Sequence, residues 1–198
     1  MQTADRLLKR REKILETATD LFAELGYRST DVQQIADRLK IGKGTVYRYF
    51  PTKEELFFAT ADRAMKSMEK FIQNRLNRVT DDITRVRKAI RAYIEFYKSH
   101  PKFIELFVQE RAEFRRRELS TYLTHRAGRD DKWRAMFDRL LKRGCLRVTN
   151  ADLIIEYLTN GLYGIVFTNV FSNWLSEEPT IDNAIDMLLY GFIQEAKK

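Results

Sequence analysis

Apolar residues recur along this chain at intervals of three and four, the spacing that gathers them on one face of an α-helix. The first stripe runs through Leu7, Leu8, Ile14, Leu15, Ala18, Leu21, Phe22 and Leu25. Gly26 follows, a residue free to take the left-handed backbone that closes a helix. A second, short stripe is Val32, Ile35, Ala36 and Leu39, preceded by Thr30 and Gln33 at capping-box spacing. Beyond a turn at Lys40-Ile41-Gly42, a third and very short helix is predicted from Lys43 to Phe50. Pro51 stops it, because the residue before a proline avoids helical backbone. Thr52 with Glu55 repeats the capping-box spacing and opens a long helix to about Asn77.

The helical period persists to the end. Residues 81–99 bury Ile83, Val86, Ile90, Tyr93, Ile94 and Tyr97, and His100-Pro101 ends that helix. Further helices are predicted over 101–114, over 118–142 with an interruption near Gly128, and from an Asn150 cap to about Trp174. The last begins near Thr180 and turns Ile181, Ala184, Ile185, Leu188, Leu189 and Phe192 inward. Alternating strand patterns are almost absent. The expected fold class is all-α with about nine helices. Residues 1–52 are expected to form a three-helix helix-turn-helix domain, and residues 53–198 a larger helical domain.

Composition narrows the function classes. With 198 residues and 44% hydrophobic content, the chain has enough apolar surface for a real core. A lone cysteine, Cys145, excludes an intramolecular disulfide and a thiolate metal site. The charged start (Asp5, Arg6, Lys9, Arg10, Arg11) lacks the apolar run of a secretory signal, so a cytoplasmic location is expected. His100 and His125 have no partners at metal or triad spacing, and no glycine loop suits a phosphate. No enzyme, catalytic residue, metal or cofactor is expected. The uncharged stretch from Tyr157 to Leu175 carries Asn160, Asn169 and Asn173, which would be costly in hydrocarbon, so no membrane span is expected.

Charge points to DNA but does not locate the contact. The formal net charge is +8. Residues 1–56 hold 11 Lys/Arg against 9 Asp/Glu, whereas residues 75–147 hold 20 against 10.

Local residue choice does locate it. The major groove of DNA is about 12 Å wide and admits one helix. In the segment Lys43–Phe50, Val46 and Phe50 lie four apart and anchor the helix inward. Lys43, Thr45, Tyr47, Arg48 and Tyr49 then point outward, offering cations, a hydroxyl and phenols to bases and phosphates. Gly44 leaves the helix start open to close approach. The helix opened by Thr52 offers a second N-terminus to a phosphate, with Lys53 beside it.

The stretch from Thr30 to Leu56, TDVQQIADRLKIGKGTVYRYFPTKEEL, resembles the DNA-binding domain of the TetR family of bacterial regulators. The run G-T-V-Y-R-Y-F with a lysine three residues on is a specific signal, and ILETATDLFAELG (14–26) is similar to the family's opening helix. Close resemblance covers residues 10–57, about a quarter of the chain. It implies that Gln33, Lys43, Gly44, Thr45 and Tyr47 lie nearest base edges. Val32, Arg48, Tyr49, Lys53 and the Thr30 cap would then lie by the phosphates. Two positions depart from the family pattern, Lys40 where glycine is common and Gly42 where a small cap such as serine is common. A left-handed Lys40 would cost on the order of 1 kcal/mol unless Gly42 takes up the turn.

So short a reading helix gains affinity when two copies meet two half-sites, which calls for a homodimer. Leu158, Leu162, Ile165, Val166 and Asn169, with Ile185, Leu188, Leu189 and Phe192, are the expected interface, with Gly161 and Gly164 allowing close approach. A four-helix bundle from two chains would bury them, as the resemblance also implies.

The resemblance further implies a ligand-binding core. Its candidates are Phe71, Tyr93, Phe96, Phe103, Phe107, Trp133, Phe137, Tyr163 and Phe167. The expected effector is a small, mostly apolar molecule, and the basic middle segment adds the option of an anion. Arg115-Arg116-Arg117 reads as a solvated loop rather than a ligand clamp. The expected function is a ligand-responsive repressor of a pseudo-palindromic operator. The alternative is an architectural or partner-controlled DNA-binding protein without an effector.

Overall fold

The structure, a computed structural model, describes residues 2–127, 130–172 and 177–191. Ten helices and no strand occur among the described residues: α1 (Gln2–Leu25), α2 (Val32–Arg38), α3 (Lys43–Tyr49), α4 (Lys53–Leu76), α5 (Asp82–Ser99), α6 (Pro101–Glu113), α7 (Thr121–Ala127), α8 (Asp130–Lys142), α9 (Ala151–Ser172) and α10 (Glu178–Tyr190). The interruption expected near Gly128 lies outside the described residues, with α7 ending before it and α8 beginning after it. No helix among the described residues is long and apolar enough to cross a membrane.

Two compact units share the chain. One comprises residues 1–67 and 100–123, the other residues 68–99 and 124–198. In the first unit, Ile14, Leu15, Ala18, Leu21 and Phe22 of α1 are buried with Val32, Ile35 and Ala36 of α2, Val46 of α3 and Phe57 of α4. Gly26 takes φ +84° after α1, as its position requires. Helix α6 packs with α1: the Gln109 amide donates to the Phe22 carbonyl at 2.8 Å, and Lys102 pairs with Asp20 at 2.9 Å. Proline stands at its first position, where no intrahelical N–H is lost.

In the second unit the helices are clipped by arginine–aspartate pairs. Arg87 and Arg91, one turn apart on α5, pair with Asp186 and Asp182, one turn apart on α10. Arg139 of α8 reaches Asp82 at 2.9 Å, and Arg134 reaches Asp152 of α9 at 2.6 Å. Three of these four pairs join the basic middle segment to the acidic C-terminal one, and Arg139–Asp82 lies within the middle segment. Such exposed pairs add little stability, but wrong pairings would set like charges together. Asn150 caps α9 as expected, accepting from the Asp152 N–H at 2.8 Å.

The expected dimer face needs correction. Ile185 and Leu189 are 0% and 2% exposed within the single chain, and Leu158, Leu162, Val166 and Leu188 are also buried in it. Ile165 and Asn169 are half-buried, and Phe192 lies outside the described residues. Among the described residues, the large apolar side chains that α9 and α10 leave exposed are Leu153, Tyr157, Met187 and Tyr190. Helix α9 is rich in apolar residues on either side of its exposed Asp152, Glu156 and Asn160, so apolar spacing alone does not say which side meets its own subunit. Gly161 does serve close packing, since a Cβ there would meet Leu188 at 3.1 Å, whereas one at Gly164 would meet nothing.

Candidate nucleic-acid interface

Val46 and Phe50 are buried and seat α3, as their spacing predicts. The Arg11 guanidinium of α1 lies 5.0 Å from the centre of the Phe50 ring and covers the helix end. What remains outward is Gly44, Tyr47 and Arg48, exposed, with Lys43, Thr45 and Tyr49 half-buried beside them. Gln33 is exposed on the neighbouring helix α2.

The turn before α3 is made by Lys40 and not by Gly42. Lys40 takes φ +54°, in the left-handed region, while Gly42 is extended at φ −72° and serves as the N-cap without a side-chain bond. The strain anticipated for Lys40 is present in the fold.

Thr30 and Val32 do not hold the positions expected of them. Thr30 is 1% exposed, and its hydroxyl donates to the Gly26 and Leu21 carbonyls at 2.8 and 3.1 Å. The cap of α2 is Asp31, whose carboxylate accepts from the Gln33 N–H at 2.7 Å, while the Gln34 side chain accepts from the Asp31 N–H at 2.7 Å. Two overlapping boxes exist in the sequence, Thr30/Gln33 and Asp31/Gln34. The end of α1 decides between them, because the Leu21 and Gly26 carbonyls there accept from the threonine hydroxyl. Val32 is 3% exposed and belongs to the core, so a solvent-facing phosphate contact is closed to both side chains.

Carboxylates missed in the sequence hold the outward residues in place. Lys43 donates to Asp31 at 2.9 Å, and the Gln33 amide donates to Asp37 at 2.7 Å. The Asp31 carboxyl is held below the usual carboxylate range, first by the Gln33 N–H and then by Lys43. Lys43 is correspondingly raised, chiefly by that same hydrogen bond.

Lys53 at the start of α4 donates to the Arg28 carbonyl at 3.1 Å and lies 4.6 Å from the centre of the Tyr27 ring. Partial burial pushes its ammonium below the usual lysine range. Thr52 caps α4 by accepting from the Glu55 N–H at 3.0 Å. The arrangement offers a short, firmly seated helix with mixed cationic and phenolic groups, flanked by a second helix start carrying a cation. It fits a major groove and its bordering phosphates.

The aromatics expected around an effector are divided between the units. Phe71 and Phe96 meet at 5.6 Å, Trp133 and Phe137 at 6.4 Å, and Tyr163 and Phe167 at 5.6 Å between ring centres, with Tyr93 buried in the same unit. Phe103 and Phe107 are buried in the unit that holds α3. None of these nine lines the cleft of the first unit. That cleft has a volume of about 870 Å³, and Arg115, Arg116 and Arg117 stand at its edge.

A short helix seated against α1 and α2 with its polar face outward is the arrangement of a helix-turn-helix DNA-binding module. Residues 14–60 match the family described as bacterial regulatory proteins, tetR family. The likeness to that family is confined to this segment, about a quarter of the chain. It is 35% identical over 106 residues to the HTH-type transcriptional regulator YhgD of Bacillus subtilis (strain 168), covering 54% of this chain and 55% of that protein. To the HTH-type transcriptional regulator HbdR of Aromatoleum sp. (strain CIB) it is 34% identical over 85 residues, covering 43% and 37%. The chain thus spans about half or less of the length of these curated relatives. Its fold is similar to that of a transcriptional regulator from Saccharomonospora viridis solved in complex with choline. The TM-score is 0.77 at 18% identity, covering 94% of this chain and 99% of that one.

Proposed function

We propose that this protein is a homodimeric repressor that reads a pseudo-palindromic operator with α3 and lets go when a small, mostly apolar effector binds its C-terminal domain. The observation that carries the reading is the presentation of Gly44, Tyr47 and Arg48 on a helix anchored from behind by Val46 and Phe50. Gln33, Lys43, Gly44, Thr45 and Tyr47 are assigned to base edges. Arg48, Tyr49 and Lys53 are assigned to phosphates. The repressor role follows the family resemblance. Residues 1–52 form the reading domain in this proposal, and residues 53–198 carry effector binding and dimerisation.

The apolar face of Leu153, Tyr157, Met187 and Tyr190 supports a dimer, since exposed apolar clusters mark association surfaces. The two helices adjoin there: a Cβ on Gly191 would lie 3.7 Å from the Tyr157 hydroxyl. Phe71, Tyr93, Phe96, Trp133, Phe137, Tyr163 and Phe167 supply aromatic walls for an effector, and the likeness to a choline-bound regulator supports a small-molecule site in this fold. The architectural alternative loses ground to the arginine–aspartate pairs, which take up positive charge a non-specific DNA coat would need.

Selection of bound sequences from a random DNA pool, at a stated salt concentration, tests the reading. Enrichment of a pseudo-palindrome is the expected result. Binding without any enriched motif, collapsing as salt is added, would overturn it.

A further inference from the structure

Beyond the end of α6 the chain turns through Phe114 and three consecutive arginines before α7, and a buried carboxylate holds that turn. Glu110 Oε1 accepts from the Thr121 N–H at 2.8 Å, the Thr121 hydroxyl at 3.0 Å and the Arg117 guanidinium at 2.7 Å. Glu110 is 2% exposed, so it acts as an internal cap for α7. Arg117, tied from one side, lies 4.0 Å from the centre of the Phe58 ring, and Phe58 meets Phe114 at 4.7 Å. Across the cleft, Arg28 pairs with Glu113 at 2.6 Å. Ala112 and Glu54 complete the walls.

The four guanidiniums around this cleft are not equivalent. Arg28 and Arg117 are each matched by a carboxylate, Glu113 and Glu110. Arg115 and Arg116 are exposed, and no hydrogen bond or ion pair engages them among the described residues. Glu54 is the remaining carboxylate of the wall. A volume of about 870 Å³ falls within the size of small-molecule sites. The walls offer two things at once: unmatched guanidiniums with paired N–H donors for an oxyanion, and an apolar surface of Phe58, Phe114 and Ala112.

We propose that this cleft is a second ligand site, separate from the effector core, which takes an aromatic carboxylate with its anion on Arg115 and Arg116 and its ring against Phe58 and Phe114. The site lies in the unit that holds α3. Phe114 packs on Tyr27 at 4.9 Å, and Lys53 stands over Tyr27 while bonding the Arg28 carbonyl. A ligand that draws Arg28 from Glu113 or moves Phe114 therefore shifts Lys53 and changes DNA affinity. That last consequence rests on the DNA-reading role proposed above; occupancy of the cleft does not.

Titration calorimetry of the full chain without DNA tests occupancy, with 2-naphthoate as probe. Acetate supplies the anion without the ring, and 2-naphthol the ring without the anion. The expected result is saturable binding of 2-naphthoate, weakened about tenfold or more in the Arg115→Ala/Arg116→Ala variant and for both partial probes. Since neither arginine has a partner among the described residues, the variant's unfolding midpoint should match that of the parent. Equal affinity in the variant, or no saturable heat at millimolar 2-naphthoate, overturns the proposal. Because DNA is absent, failure of the operator reading leaves this result standing.

Discussion

Asp31 and Lys43 face each other across the turn between α2 and α3, the lysine ammonium donating to the carboxylate at 2.9 Å. The same carboxylate caps α2, so one residue both starts that helix and restrains a cation at the start of the next.

This coupling has a pH signature. The Asp31 carboxyl is depressed, so its contribution to stability is present above the unfolded value of about 3.9 and is lost as pH falls through the lower folded value. Lys43 is raised, so its contribution is present below about 10.4 and is lost as pH rises through the higher folded value. Asp31→Asn keeps an acceptor for the Gln33 N–H but gives up the ion pair. Denaturant titrations between acid and neutral pH should show a smaller acid loss in this variant than in the parent. An unchanged acid slope would mean that Asp31 does not report on this contact.

Tyr47→Ala should weaken operator binding by more than about 1 kcal/mol, on the scale of a base-edge contact, while the sedimentation of the dimer stays unchanged. Thr30→Val makes the opposite prediction. It removes a buried hydroxyl that bonds two carbonyls, so it should lower the unfolding midpoint and leave operator preference intact. A Thr30 variant with normal stability and altered operator preference would return that residue to the DNA face.

Met187→Glu with Tyr157→Glu should sediment as a folded monomer, because both side chains are exposed in the single chain. Leu162→Glu should instead lower stability, since it places a charge among side chains that α9 already buries. Helical circular dichroism read beside analytical ultracentrifugation separates the two outcomes. A double variant that remains dimeric would place the interface elsewhere.

Backbone strain before α3 predicts opposite signs for two substitutions. Lys40→Gly relieves a left-handed lysine and should leave stability unchanged or raise it by up to about 1 kcal/mol, the relief partly offset by the entropy of glycine. Gly26→Ala puts a Cβ on a left-handed residue and should cost about 1 kcal/mol or more. Urea midpoints at one pH decide the matter, and destabilisation by Lys40→Gly would show that the left-handed lysine carries no net strain.

Local pattern alone was enough to specify the helices and the candidate DNA-reading segment, because both are written in short-range terms. The three-and-four spacing defines α1 to α10 almost throughout, Pro51 and Gly26 end helices by their own backbone limits, and Val46 with Phe50 orients α3 through a one-turn interval. Only tertiary structure decided matters in which a residue competes with distant partners. Thr30 and Asp31 are both good caps, and the carbonyls closing α1 took one and left the other. Leu189 and Met187 are both apolar residues of α10, and packing within the subunit buried the first and left the second in water. Charge followed the same rule. The basic middle of the chain and its acidic end look like separate biases in sequence, and folding brings them together as Arg87–Asp186 and Arg91–Asp182. Periodicity reports which residues share a face, but what that face meets depends on residues far along the chain.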